Sequence, residues 1–184
     1  MAITIRPFEP SDISAIAAIY GHHVMSGFGT YELEAPSENE MAARFAKLVK
    51  NTLPIRIACT ADGDVAGYAY AGPYRSERPG WRFTLEDSVY VAPDHVGHGI
   101  GSALLLDLIR VAENGPWRQM LAVIGDSANN AASVALHRRH GFEMVGTLKD
   151  TGWKGDEWRD TAIMQRPLSH GGETAPDRSG MIAE

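Results

Sequence analysis

The chain has 184 residues, close to the usual size of one domain, and its 44% hydrophobic and 22% charged residues are the balance of an ordinary globular protein. Lys and Arg number 17 against 23 Asp and Glu, a formal net charge of −6. That excludes the broad basic face that nucleic-acid binding needs, though a small anion held by amides and a few cations stays open. A single cysteine, Cys59, excludes an internal disulfide framework and any CxxC motif; no apolar run nears the ~18 residues of a membrane span, and residues 1–10 lack the apolar core of a secretory signal, so a cytoplasmic protein is expected.

Residues 2–6 alternate, with Ile3 and Ile5 on one face, and predict a first strand. Pro10-Ser11-Asp12 offers a helix start, and Ile13, Ile16, Ala17, Tyr20 and Val24 follow at helical spacing. Residues 26–30 break that helix as a loop. Ser37 with Glu40 forms a capping box ahead of Met41, Phe45 and Leu48, which predicts a second helix. Residues 54–60 and 65–74 flank Ala61-Asp62-Gly63-Asp64 and read as a hairpin with an Asp-Gly turn. A loop rich in Gly, Pro and Arg spans 72–80, and 82–91 is another strand. Residues 100–113 are a helix closed near Gly115-Pro116, 120–124 an apolar strand, and 130–140 a short helix with Gly141 as its C-cap. Residues 142–148 and 161–165 supply the last strands. The order β-α-α-β-β-β-α-β-α-β-β predicts an α/β protein with a mixed α+β sheet, not a doubly wound one. One domain over 1–168 and a poorly ordered tail over 169–184 are expected, the tail because its Gly, Ser, Asp, Glu and Pro carry no apolar period.

The sharpest local signal is the strand-loop-helix run through Tyr90-Val91-Ala92-Pro93, with Gly97, Gly99 and Gly101 at every second position. Glycines let a backbone approach a ligand with its N–H groups turned inward, and a helix N-terminus adds partial positive charge. On the residues alone, a phosphate cradle and a plain tight turn both remain open. A dinucleotide site wants G-x-G-x-x-G in an early βαβ unit; the spacing here is G-x-G-x-G after several strands, and that reading is set aside.

Taken with Ser88-Val89-Tyr90-Val91-Ala92-Pro93, Asn130-Ala131-Ala132-Ser133, Leu136-His137 and Gly141-Phe142, the glycine run resembles the GNAT superfamily of N-acetyltransferases. Within it the chain is similar to the phosphinothricin and methionine sulfoximine acetyltransferases, with Ile5-Arg6, Ile19-Tyr20, Gly67-Tyr68, Gly72-Pro73, Arg75, Glu86, Gly152, Lys154 and Trp158 also matching. The resemblance covers residues 3–168. It implies the GNAT acyl-CoA N-acyltransferase fold, acetyl-CoA as co-substrate and a homodimer. It implies further that the pyrophosphate lies on the amides of Val96, Gly97, His98, Gly99, Ile100 and Gly101, with Ser102 beside them. The pantetheine arm would pair with Val89, Tyr90 and Val91 like an added strand, next to Asn130. Two departures stand out. Val96 and His98 replace the cations or Gln usual in this loop, removing charge-assisted bonds of ~1–2 kcal/mol each. Lys154-Gly155-Asp156-Glu157-Trp158 stands where relatives read Lys-Phe-Gly-Arg-Trp.

Acetyl transfer to an amine requires that the ammonium lose a proton, that the oxyanion be stabilised, and that the leaving thiolate find an acid. Strand alternation puts Glu86 on one face with Ser88 and Tyr90. The resemblance gives Glu86 the base role, although Glu86-Asp87 reads on the residues alone equally as surface charge. His137, seven residues after Asn130 and so on the same side of its helix, is the candidate acid, with Tyr90 behind it. A backbone N–H of residues 89–91 is the candidate oxyanion donor. Arg75 and Lys154 match positions that hold the acceptor's oxyanions, Arg78 is a local extra, and Phe28 and Tyr31 are candidate pocket walls. The histidine pairs lack acidic or Cys partners at metal-ligand spacing, so no metal is expected. The reading is an acetyl-CoA-dependent N-acetyltransferase acting on the α-amine of an amino acid or analogue. The alternatives are a GNAT enzyme for another amine and a non-catalytic acyl-CoA-binding regulatory domain.

Overall fold

The structure, a computed structural model, describes residues 2–176. β1 (Ile3–Pro7) leads through a short 3-10 turn into α1 (Ile13–Ser26) and α2 (Glu38–Lys50). The hairpin β2 (Ile55–Thr60) and β3 (Val65–Pro73) follows, then β4 (Thr84–Val91), α3 (Ile100–Glu113), β5 (Gln119–Gly125), α4 (Ala131–Arg139), β6 (Glu143–Trp153) and β7 (Trp158–Pro167). The strands form one sheet in the order β1-β2-β3-β4-β5-β7-β6. Every neighbouring pair is antiparallel except β4 and β5. That parallel pair needs a crossover, and α3 supplies it.

Local chemistry sets the boundaries. Ser37 and Glu40 close a reciprocal capping box at the head of α2. Arg6 grips the Asp12 carboxylate with two bonds of 2.8 and 2.6 Å, and Asp12 also accepts the Glu9 N–H at 2.8 Å; this clamp ties β1 to the start of α1. One face of the sheet packs on α1 and α2 through Ile16, Phe45, Ile57 and Tyr68. The other packs on α3 through Leu104, Leu105, Leu108, Leu85 and Met164.

Two boundaries differ from the sequence expectation. The first α-helix starts at Ile13, because residues 10–12 are the 3-10 turn. The last hairpin is longer than residues 142–148 and 161–165 predicted: Gly152 still pairs with Arg159 and Trp153 with Trp158. β6 is the outermost strand and exposed along nearly its whole length, so no alternating apolar face marks its far half. Of the expected tail, 177–184 lie outside the described residues. Before that point the Gly171 N–H donates to the Leu168 carbonyl at 2.8 Å, and Arg118 donates to the Ala175 carbonyl at 3.1 Å. Among the described residues no helix is long and apolar enough to cross a membrane.

Candidate active site

β4 and β5 pair from Thr84↔Gln119 to Asp87↔Ala122 and then part, while β4 stays paired with β3 as far as Gly67↔Val91. The fork leaves the β5-side edge of residues 88–91 facing a cleft of about 810 Å³. Val89, Tyr90 and Val91 line it, with the glycine turn and the head of α3 on one side and α4 on the other. Phe28, Gly29 and Thr30 close the mouth. They cross the end of β5 so tightly that a Cβ on Gly125 would lie 2.8 Å from the Gly29 carbonyl oxygen. Asn130 Nδ2 donates to the Gly125 carbonyl at 3.3 Å and holds this corner to α4.

Gly97 and Gly99 have φ of +85° and +80°, and a Cβ added at either would meet nothing within 4 Å. These glycines therefore serve the left-handed backbone of the turn rather than close packing. Gly99 is the N-cap of α3 and offers no side-chain acceptor, so the first-turn N–H groups have no cap side chain to donate to. Val96, Gly97, Gly99, Ile100, Gly101 and Ser102 all line the cleft; His98 is exposed and lies outside the lining. Ser102 Oγ is 2.7 Å from His140 Nε2, and burial with nearby Arg139, His137 and Arg166 pushes that ring below the usual histidine range. Arg139 brings a cation to the same wall from α4. A bare strand edge, a glycine turn and a helix N-terminus in one trough fit the pantetheine arm and phosphates of acetyl-CoA.

At the fork, the two acidic neighbours take opposite faces. Glu86 is half-buried, outside the cleft lining, on the face shared with Ser88 and Tyr90 and opposite Gly72 of β3. Burial, and secondarily the charge of Asp87, raise its carboxyl above the ordinary range. Asp87 faces the cleft side, where its Oδ2 lies 3.0 Å from His137 Nε2. His137 is only 5% exposed rather than on a solvated helix surface, and its Nδ1 lies 2.8 Å from the Ser133 carbonyl oxygen. Asn130 and His137 do share the cleft side of α4, as their spacing predicts.

The other candidates separate into two places. Phe28 lines the cleft and its ring stacks on the Arg159 guanidinium, with Cζ 4.1 Å from the centroid. Tyr31 lies behind it: its hydroxyl donates to the Asp160 carbonyl at 3.2 Å and accepts the Asp126 N–H at 3.2 Å. Lys154 is buried outside the cleft lining and donates to the Thr30 carbonyl at 2.9 Å; burial lowers its ammonium pKa. Arg75 is exposed on the loop joining β3 and β4, its guanidinium 5.3 Å from the Tyr74 ring centroid and 5.7 Å from that of Trp81. The structure thus gathers the cofactor candidates except His98 into one cleft and leaves Arg75, Lys154 and Tyr31 outside it. Arg78 is exposed on the same loop as Arg75.

Sequence reasoning missed Asp87, whose signal is an acid in the row Leu85, Val89, Val91 of an inward strand face. It also missed His23, which donates from Nε2 to the Val91 carbonyl at 2.9 Å; burial pushes that ring below the usual histidine range. Among the described residues no group of three or more His, Cys, Asp or Glu could hold a metal ion.

The profile described as "Acetyltransferase (GNAT) family" matches residues 19–142, which include the fork, the glycine turn and α4. The chain belongs to the GNAT acetyltransferase family. It is 49% identical over 176 residues to the phosphinothricin N-acetyltransferase of Alcaligenes faecalis, covering 96% of this chain and 88% of the relative. It is 36% identical over 168 residues to an L-methionine sulfoximine/L-methionine sulfone acetyltransferase of Pseudomonas aeruginosa, covering 91% and 96%. A crystal structure of a GNAT phosphinothricin acetyltransferase from Sinorhizobium meliloti, in complex with acetyl-CoA, superposes with a TM-score of 0.94 at 44% identity, covering 97% of this chain and 95% of that one. This GNAT chain is an acetyltransferase with the mixed sheet its sequence order predicts, and acetyl-CoA is its acyl donor.

Proposed function

We propose that this enzyme acetylates the α-amine of an amino acid or amino-acid analogue of the phosphinothricin or methionine sulfoximine type, within a direct ternary complex. The observation that carries the reading is the strand fork, which opens a trough suited to acetyl-CoA, lined by Ser88, Val89, Tyr90 and Val91 from both strand faces, next to the half-buried Glu86. Acetyl-CoA supplies the activated acyl group. Residues 96–102 hold its phosphates by backbone amides, and residues 89–91 pair with its pantetheine arm. Glu86, whose pKa is raised by burial, takes the ammonium proton of the acceptor. A backbone N–H of residues 89–91 faces the developing oxyanion. His137 serves the leaving thiolate. Arg75 receives the acceptor's oxyanion and Phe28 walls its side chain, while Lys154, donating to the Thr30 carbonyl, and Tyr31, held by Asp160 and Asp126, support that wall from behind.

The proposal includes a cytoplasmic homodimer with no nucleic-acid or membrane partner. The net charge of −6 supports the absence of nucleic acid. Exposed Val145, Leu148, Trp153 and Trp158 on the outer hairpin, 51–61% accessible, support a second copy as the cover of that edge.

The test is a thiol-release screen with acetyl-CoA against phosphinothricin, methionine sulfoximine, polyamines, aminoglycosides and short peptides. Turnover is expected with the first two. Turnover confined to a cationic amine or a peptide would reject the acceptor assignment, and acetyl-CoA binding without turnover on any amine would make the chain a binding domain.

A further inference from the structure

Asp87 forms the last residue pair between β4 and β5, so it marks the point where the strands separate. Its side chain is 1% exposed. Oδ2 faces His137 Nε2 at 3.0 Å, and Oδ1 has no hydrogen-bond partner. The His137 ring is fixed on its other sides by the Ser133 carbonyl at Nδ1 and by the edge-on ring of Phe142, centroids 5.0 Å apart. Both partners offer acceptors, so the arrangement favours a ring with a proton on each nitrogen. A buried ion pair seldom stabilises a fold more than apolar residues would, and a carboxylate oxygen left unpaired inside makes this one costlier. Stability therefore does not account for the pair, whereas its place on the cleft wall at the fork suits chemistry.

We propose that Asp87 is a positioning residue that keeps His137 doubly protonated at the fork, loaded with the proton taken by the thiolate leaving acetyl-CoA. This deepens the acetyl-transfer reading and rests on it. The amine nitrogen bonds to the acetyl carbon, the carbon–sulfur bond breaks, and its electron pair stays on sulfur. The proton on His137 Nε2 leaves Asp87 Oδ2 for that sulfur, while the Nδ1 proton stays on nitrogen, donated in a hydrogen bond to the Ser133 carbonyl. Of the two protons the ammonium loses, one replaces through solvent the proton given by His137, and the other is released.

Burial alone would push the ring down; the hydrogen bond and charge of Asp87, with the Ser133 carbonyl, outweigh it and raise it above the ordinary histidine. That moves it toward the thiol range near ~8.5, where an acid matches a thiolate. Among the described residues, Asp87 is the charged group in hydrogen-bond contact with the ring. Glu86 neighbours it on the opposite strand face, while Arg138, Arg139 and His140 share α4. Arg166 of β7 donates to the His140 carbonyl, and Ser102 of α3 bonds the His140 ring. β5 offers apolar Ala122 and Ile124 to the cleft, and Glu143 at the start of β6 is exposed.

The experiment is a ring-nitrogen NMR titration of His137 in wild type and Asp87→Asn. It is paired with kcat against pH, using phosphinothricin and saturating acetyl-CoA, and with calorimetry of acetyl-CoA binding. Wild-type His137 should stay protonated at pH 7, and in Asp87→Asn it should titrate at or below ~6.5, the ordinary histidine value. The high-pH limb of kcat should follow it down, leaving the variant within about threefold of wild type at pH 6 and about tenfold or more slower at pH 8, since one pKa unit is a factor of ten. Asp87→Glu should restore part of the limb. A neutral wild-type His137 at pH 7 would overturn the proposal even if no variant folds, as would a loss in Asp87→Asn that is the same at every pH. Acetyl-CoA binding with a neutral His137 overturns this proposal alone; no acetyl-CoA binding to wild type overturns the acetyl-transfer reading with it.

Discussion

Arg75 holds its backbone at φ +46°, a left-handed conformation that non-glycine residues seldom adopt, with its guanidinium beside two aromatic rings. Such a side chain is held in place before an acceptor arrives, and the planar fork suits a carboxylate. Arg75→Ala should raise the KM for phosphinothricin about tenfold or more, the ~1.5–3 kcal/mol of a charged hydrogen bond, and leave the KM for acetyl-CoA unchanged. Steady-state kinetics with each substrate varied would check this, and equal loss for both would place the acceptor's oxyanion elsewhere. At the same scale, the departure at Gly155 finds its reason. Its φ is +64°, and a Cβ there would lie 2.6 Å from the Phe28 ring, so the site gives Phe28 the room that an aromatic at 155 would take. Glu157 is likewise answered by Arg159 at 3.0 Å. Individual residues were legible where strand or helix spacing fixed their side, as with Glu86, Asn130 and His137. Asp87 was not, because its partner lies 50 positions away and only the crossover brings α4 over β4.

Among the elements, α3 begins and ends where its sequence predicts, because a glycine turn fixes its head and Gly115-Pro116 its exit. The far half of the β6–β7 hairpin was not legible, since outer-strand pairing rests on backbone hydrogen bonds that leave no apolar pattern. In the proposed reading the turn before α3 also sets cofactor affinity. No Lys or Arg lies between Ala92 and Ser102, so phosphate binding there would fall to amides and to the α4 cation Arg139. Gly99→Asp puts a carboxylate where phosphate belongs and a Cβ where φ is +80°. Calorimetry should find acetyl-CoA binding weakened at least about a hundredfold, the loss of two or more charge-assisted bonds. Unchanged affinity in a folded variant would remove this turn from the cofactor site.

For the whole molecule, the sheet acts as a partition with one opening. In the proposed reading acetyl-CoA lies on the α3–α4 side with Asp87 and His137 and the acceptor amine on the side of Glu86, and they meet where β4 parts from β5. The order of elements predicted this mixed sheet, but not the opening, which comes from where strand pairing stops. An α-amine is mostly protonated at pH 7, so the nucleophile is scarce without a base. The most direct measurement is therefore kcat for phosphinothricin as a function of pH in wild type and Glu86→Gln, with acetyl-CoA binding measured alongside. The variant should bind acetyl-CoA normally and turn over ~10²–10⁴-fold more slowly at pH 7, with the deficit shrinking as pH rises toward the amine pKa and solvent takes over the deprotonation. A variant as fast as wild type at pH 7, or a deficit that stays constant through about pH 9.5, would contradict Glu86 as the base.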